Sequence, residues 1–578
     1  MARKEKIDFR NMGAALGIPE QASHTVEKLP QMKSPLQTLK HKEFTLDRQN
    51  KELVFPVLQA SVQSDQTCTA LYKKLCEQMK LMADPNGIVM AEFPWRLRVG
   101  GMRGFRDLLL PVFHPTYGIP YVPSSSIKGL VRAWARHNLP DDQKYQVDQL
   151  LGFLDGRKAA IAKVQILDSF PTKPCLSVDI ANPQWVWDKN QVKYGAIPHH
   201  LLSMQDVTLQ IGLQKTSRGS TADVQTVKHW LQQALLSDGL GSRVSAGYGR
   251  AKKVDKVTRP DTSCDYRSEH EFEFWSQGMY GSSPENPEFR PVAIRGMLRY
   301  WFRSIAFGLY PIGVCQRLEG RLFGTLEDST NLGKPRQGSI VVSALWRSNE
   351  LEPPKNPMTV TGEIILNAQS ESDLLLAQKL LELSFCLGGL GRGARRPLHI
   401  NRDRLRGCHW QPKSGLGLPG NDRGSWQQFF QSVKNAIGAI QVFPANGQPL
   451  GNDDPGKPGR RLQDVLSGSS RIYTISCPGL KHPREKQIAG KAMSVLYKPE
   501  YKGKSLDNPG EPLVGGGIHR DPKIGGTPSF VVVKSIFPPS GDPYQVVTIF
   551  GETYQEQRQA FAQALERAGG VLVWDGWD

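Results

Sequence analysis

Ile127-Lys128-Gly129-Leu130-Val131-Arg132 follows the loop Pro120 to Ser126, and Ile294-Arg295-Gly296-Met297-Leu298-Arg299 follows Phe289 to Ala293. Both copies read Ile, basic, Gly, two apolar residues, Arg, without a gap, so the chain repeats itself. Each runs on into an amphipathic stretch, Leu130 to His137 and Met297 to Phe307, which places the basic pairs in the first turns of two helices. Ser124 to Ser126 suit the N-cap of the first helix, where hydroxyls and unpaired backbone amides can hold a phosphate.

Further along, the two halves keep the same order of features. Leu151-Gly152 and Phe323-Gly324 precede strand-like runs, Lys163 to Leu167 and Ser339 to Leu345. Helical stretches Val224 to Leu236 and Leu374 to Leu387 then end in basic glycine loops, Gly239 to Arg250 and Gly388 to Pro397. A single such loop is ordinarily a helix C-cap and turn. Two basic copies favour phosphate contact: glycine lets backbone amides approach closely, and Arg243, Arg250, Arg392, Arg395 and Arg396 supply charge. The spacing does not match GxxxxGK[ST], which disfavours ATP. Lys252 to His270 is polar and forms the natural boundary between the modules.

Composition agrees. The chain has 578 residues and a formal charge of +18, only 39% of its residues are hydrophobic, and it holds 56 Gly and 41 Pro, which fits several modest cores joined by many turns. The excess charge is spread, 32 Lys/Arg against 22 Asp/Glu in residues 1–250 and 41 against 33 in the rest. That distribution favours a polyanionic partner, nucleic acid ahead of a membrane surface. No apolar run reaches the length of a spanning helix and the first residues lack a signal-peptide pattern, so the expectation is a cytoplasmic protein without a membrane partner. The eight cysteines form no CxxC pair, and Cys408-His409 stands alone, so no metal and no cofactor is assigned.

The string YGIPYVPSSSIKGLVRAW (Tyr117 to Trp134), LSVDIANPQ (Leu176 to Gln184) and GLGSRVSAGYGR (Gly239 to Arg250) resemble the RAMP proteins of type III CRISPR effector complexes, and within them the sixth Cmr subunit of type III-B systems. FRPVAIRGMLRYWFRSI (Phe289 to Ile305), RLEGRLFGT (Arg317 to Thr325) and GGLGRGARRP (Gly388 to Pro397) resemble the first Cmr subunit, with a weaker echo at Gly525 to Val533. The resemblance implies an α+β chain of two tandem ferredoxin-like (RRM-like) RAMP domains with irregular insertions, a fusion of two subunits. It divides the chain into an N-terminal, partly helical extension (1–90), a first module (91–255), a linker (256–270) and a second module (271–578) with an irregular insertion at about 403–470. The amphipathic stretch Cys68 to Met82 is expected to pack on the first module or a neighbouring subunit.

By the same resemblance the partners are CRISPR RNA, bound toward its 3′ end, single-stranded target RNA, and the other type III subunits: backbone RAMP subunits, the small subunit and the large polymerase-like subunit. Ser125, Ser126, Lys128 and Arg132 would face RNA beside Gly241, Arg243, Tyr248 and Arg250. In the second module Arg295 and Arg299 would do so beside Gly391, Arg392, Arg395 and Arg396, with Trp301 buried. One departure is Pro123-Ser124, where the family has proline-glycine. Some backbone RAMP subunits cut target RNA at an aspartate two positions before a Pro-Val pair, with Mg or Mn assisting. Asp107 precedes Pro111-Val112 by four, so a non-catalytic RNA-binding subunit is the first reading and a metal-dependent endoribonuclease the alternative. His114, beside prolines, reads as a packing residue.

Overall fold

The structure, a computed structural model, describes residues 34–40, 51–100, 110–156, 158–182, 185–188, 191–194, 199–260, 266–283, 287–325, 337–348, 357–401, 404–413, 416–444, 464–481, 490–502, 512–517 and 529–577. Its architecture is α+β, with three successive antiparallel sheets that share one strand order. In the first unit the strands are Ile88–Leu97, a broken second strand (Val164–Ile166, Phe170–Pro171, Leu176–Ala181), His199–Lys215 and Lys253–Val254. They lie in the order fourth, first, third, second. Helix Ser124–Asn138 follows the first strand and helix Thr221–Ser237 the third.

The second unit repeats this plan. Strands Arg267–Ser276, Ile340–Ser348, Met358–Ala368 and Cys408–Pro412 stand in the same order. Helices Val292–Leu309 and Ile312–Phe323 follow the first strand, and Glu371–Leu387 the third. Ile127, Val131 and Trp134 on one repeat helix, and Ile294, Leu298, Trp301 and Ile305 on the other, are the buried stripes that seat each helix on its sheet.

A third sheet begins at Arg471, where the sequence reading carried the second module on to the end of the chain. Strands Arg471–Ser476, Val531–Ile536, Tyr544–Ile549 and Gly570–Trp574 again run fourth, first, third, second, with helices Lys491–Leu496 and Glu556–Arg567 after the first and third. Its core includes Ile475, Met493, Leu496, Val533, Val547 and Phe561. Within the stretch expected to be an irregular insertion, 403–470, the described residues include regular elements, while 445–463 lie outside the described residues. Cys408–Pro412 is the fourth strand of the second sheet, pairing Trp410 with Phe274. Arg423–Gly438 is a helix that buries Trp426, Phe430, Val433 and Ile437, capped by Asp422 accepting from the Ser425 amide at 2.8 Å. The Gly and Pro that suggested irregularity include Gly417, Pro419 and Gly420, just ahead of that helix.

Ahead of the first sheet, helix Thr69–Met82 buries Tyr72, Leu75, Cys76 and Met79, and its apolar face meets Ile119, Leu167 and Phe170 of the first unit. Asp65, fully buried, ties it down by accepting from the Tyr72 hydroxyl at 2.7 Å and from the Cys175 and Leu176 amides at 2.8 Å. No helix among the described residues is long and apolar enough to cross a membrane.

Candidate functional site

At the start of the first repeat helix the Ser124 amide is already engaged, donating to the Asp168 carboxylate at 2.7 Å. A phosphate at this end therefore has to share the helix terminus with an acid. Ser125 is exposed, and Ser126 and Lys128 are half-buried. Burial, and then the neighbouring Arg132 charge, lower the Lys128 pKa, so a nearby anion would relieve its environment.

The arginines of the repeat do a different job. Arg132 donates to the Leu151 carbonyl at 3.2 Å and to the Gly152 carbonyl, closing the C-terminus of helix Tyr145–Leu151. In the second unit the equivalent grip, on the Phe323 carbonyl, comes from Arg295, four positions earlier in the motif. Helix C-termini expose unpaired carbonyls and partial negative charge, which a guanidinium satisfies. The Leu-Gly and Phe-Gly pairs of the sequence are these two helix ends. Burial, with Arg299 beside it, lowers the Arg295 pKa to about 10. Arg299 and Arg303 both bind the buried Glu319, at 2.5 and 2.6 Å, and against the effect of burial they hold its carboxyl at about 2.

Both glycine loops fold back on the first strand of their unit or its partner. Gly241 has φ +92°, and a Cβ there would collide with the Arg98 carbonyl, to which the Ser242 amide donates at 2.7 Å. Gly389 likewise leaves no room for a Cβ beside the Cys408 thiol. Arg243 takes the left-handed region at φ +62°, with its guanidinium 5.9 Å from the Tyr248 ring centre. Arg250 donates to the Ser237 carbonyl at the end of the preceding helix.

Tyr248 is not on the surface, contrary to its place among the expected RNA contacts. It is buried and its phenol donates to Asp179, which is itself fully buried. Arg290 of the second unit reaches the same carboxylate at 2.8 Å, and Arg96 lies 3.5 Å away. Glu288 completes the cluster, accepting from Arg96 at 2.9 Å and from the Trp95 indole at 2.6 Å. Burial pushes the Asp179 carboxyl up, but Arg96, Arg290 and the phenol together hold it below the ordinary carboxylate value. The first glycine loop is thereby bolted to the second unit, with Gly247 against Pro291, the residue that opens the second repeat helix. Gly391 of the second loop lies beside Met279, whose sulfur accepts from the Arg290 amide. Both loops and one helix start thus converge on Arg290.

The second loop is tied to the third unit. Arg395 binds the buried Asp464 and donates to the Ser529 carbonyl at 2.9 Å. Arg396, also buried, donates to the Val531 carbonyl at 2.6 Å and the Ser529 hydroxyl at 2.8 Å, and burial lowers its pKa to about 10. Both side chains are thus engaged within the protein, Arg396 buried and Arg395 half-buried, while Gly391 and Arg392 are exposed. Sequence reasoning singled out both loops but missed Asp179, Glu288 and Arg290, which hold the first of them in place. The available signal was an Asp inside the apolar strand Leu176–Ala181, since a buried carboxylate demands cationic partners.

Among the described residues no group of three or more His, Cys, Asp or Glu is placed to hold a metal. Asp107 lies outside the described residues. His114 packs on Tyr117 (ring centres 4.5 Å apart), Tyr121 and Phe170, its Nδ1 accepting from the Thr116 and Tyr117 amides at 3.3 Å. Trp301 is buried.

Residues 94–252, which span the first repeat helix, Asp179 and the first glycine loop, match the family model of the RAMP superfamily. No curated protein matches the chain. Among solved structures, a chain in the cryo-EM structure of the type III-B Cmr-beta complex bound to cognate target RNA is 18% identical, with 43% of this chain and 88% of that one covered and a TM-score of 0.29. Cmr1 from Pyrococcus furiosus, in its apo form, is 16% identical, with 54% of this chain and 100% of that one covered and a TM-score of 0.31.

Proposed function

From the premise that residues 94–252 are a RAMP-superfamily module, we propose that the protein is a non-catalytic RNA-binding subunit of a type III CRISPR effector complex in the cytoplasm. It binds CRISPR RNA toward the 3′ end and helps hold single-stranded target RNA beside the backbone, small and large subunits. The repeated strand order, with a helix after the first and third strands of each unit, supports reading all three units as ferredoxin-like and the chain as a fusion.

One observation carries the proposal: the family match encloses a helix start and a glycine loop whose cations are not all consumed internally. Ser125 is exposed, Lys128 is half-buried, and Arg243, like Arg392 of the second loop outside the matched residues, forms no ion pair with a described residue. Loop amides and isolated cations of this kind suit a phosphodiester backbone, which demands charge without base selection. Arg132, Arg250, Arg295, Arg299, Arg395 and Arg396 then support the RNA face by fixing helix ends and loops. The test is to purify the protein from cells carrying the cognate CRISPR array and sequence the RNA that accompanies it. Enrichment of processed CRISPR RNA is expected; an RNA pool matching total cellular RNA overturns the proposal.

A further inference from the structure

In the third unit a cavity of about 750 Å³ opens between helices Lys491–Leu496 and Glu556–Arg567, at the end of strand Arg471–Ser476. Lys481, Lys491, Lys498 and Arg567 stand around it, all exposed, and among the described lining residues the one acid is Glu500. None of the four forms an ion pair with a carboxylate among the described residues. The floor is apolar, built from Val495, Ala564 and the buried ring of Tyr501.

We propose that this cavity binds a phosphorylated nucleotide, with the base against the apolar floor and the phosphate on the basic rim. Four cations arriving from three segments of the chain concentrate positive potential over a low-dielectric wall, which favours an anion over a neutral ligand. An apolar floor adds nothing for inorganic phosphate alone, but it offers a ring system a surface to cover. The concave shape and volume fall in the range of small-ligand pockets, roughly 300–1,000 Å³, and do not suit an extended acidic peptide. The same chemistry is presented by a free mononucleotide and by the phosphorylated end of an RNA. The proposal is independent of the RNA face described above, because it rests on a different unit and different residues.

The experiment titrates the full-length chain with 5′-AMP, adenosine and inorganic phosphate by calorimetry, and with a short RNA carrying or lacking a terminal phosphate. AMP is expected to bind saturably, with adenosine and phosphate each weaker by about tenfold or more. Lys491→Glu with Lys498→Glu, and separately Ser494→Trp at an exposed wall position, should each weaken AMP by about tenfold or more. Thermal unfolding confirms that each variant is folded, and Lys128→Glu should leave AMP binding unchanged. A terminal-phosphate gain that Ser494→Trp removes assigns the site to an RNA end, and AMP binding without that gain assigns it to a free nucleotide. No AMP binding by the wild type, or AMP binding indifferent to both pocket variants, overturns the proposal even when RNA co-purification succeeds.

Discussion

Asp179→Ala is the most incisive perturbation of the joint between the first two units. The carboxylate is fully buried and receives Arg290 at 2.8 Å, Arg96 at 3.5 Å and the Tyr248 phenol. Removing it leaves two guanidiniums facing one remaining acid. Glu288 still binds Arg96 at 2.9 Å and Arg290 at 3.3 Å, and its side chain is 18% exposed, so one positive charge is left uncompensated rather than two. Breaking a buried pair by deleting one partner costs about 3–5 kcal/mol, and the surviving acid places this case near the lower end, about 3 kcal/mol. For a unit of this size that is a fall in Tm of roughly 6–12 °C.

The assay is differential scanning calorimetry of the full chain, following the transition of the first two units, with Arg290→Ala and the double variant completing a cycle. The two changes should be non-additive by about 1 kcal/mol or more, because each removes the same ion pair. The sign with pH is fixed by the lowered folded pKa of Asp179. Its contribution is fully present above the unfolded value of about 3.9 and is lost as pH falls through the folded value. The deficit of the variant should thus be constant from neutral pH down to about 5 and shrink only below about 4. A shift in Tm under about 2 °C, or strict additivity with Arg290→Ala, would refute the argument that this cluster joins the units.

Lys128→Glu with Arg243→Glu should weaken RNA binding and flatten the slope of log affinity against log salt by about 0.7 for each phosphate no longer neutralised, with the Tm unchanged; filter binding across a salt series reads both. Arg295→Glu should instead lower the Tm, since it places an acid against the Phe323 carbonyl that Arg295 now satisfies. Lys534, buried with its ammonium on the Trp410 carbonyl at 2.6 Å, has its pKa lowered by burial to about 7. The unfolded chain binds the extra proton between that value and about 10.4, so stability should rise with pH across this window, and Lys534→Met should abolish the rise in Tm between about pH 7 and 9. Asp107→Ala should leave target cleavage by a reconstituted complex intact, as its spacing from Pro111-Val112 implies; loss of one mapped cut would make it catalytic.

What the sequence made legible is what local patterning encodes. The two repeat helices, the glycine loops behind two helices, and the repeat itself all follow from apolar spacing within a few positions, although the N-caps are Pro123 and Pro291 and not the serines expected to cap the first helix. The third unit escaped because its helix after the first strand, KAMSVL, carries no Ile-basic-Gly motif, although its strand order is the same. Strand Cys408–Pro412 escaped because its partner, Phe272 to Ser276, lies far back in the chain and nothing local announces the pairing. Arginine roles were least legible, for a physical reason. A guanidinium at the first turns of a helix is equally suited to a phosphate and to the carbonyls of a neighbouring helix end, and only tertiary placement chooses. The two repeats make the point, since position six of one and position two of the other do the same work on Gly152 and Phe323. Identity at a motif position therefore does not fix which group the side chain meets. The partner is set by the helix end that packs there, so the motif alone does not say whether its arginine meets a phosphate or a carbonyl.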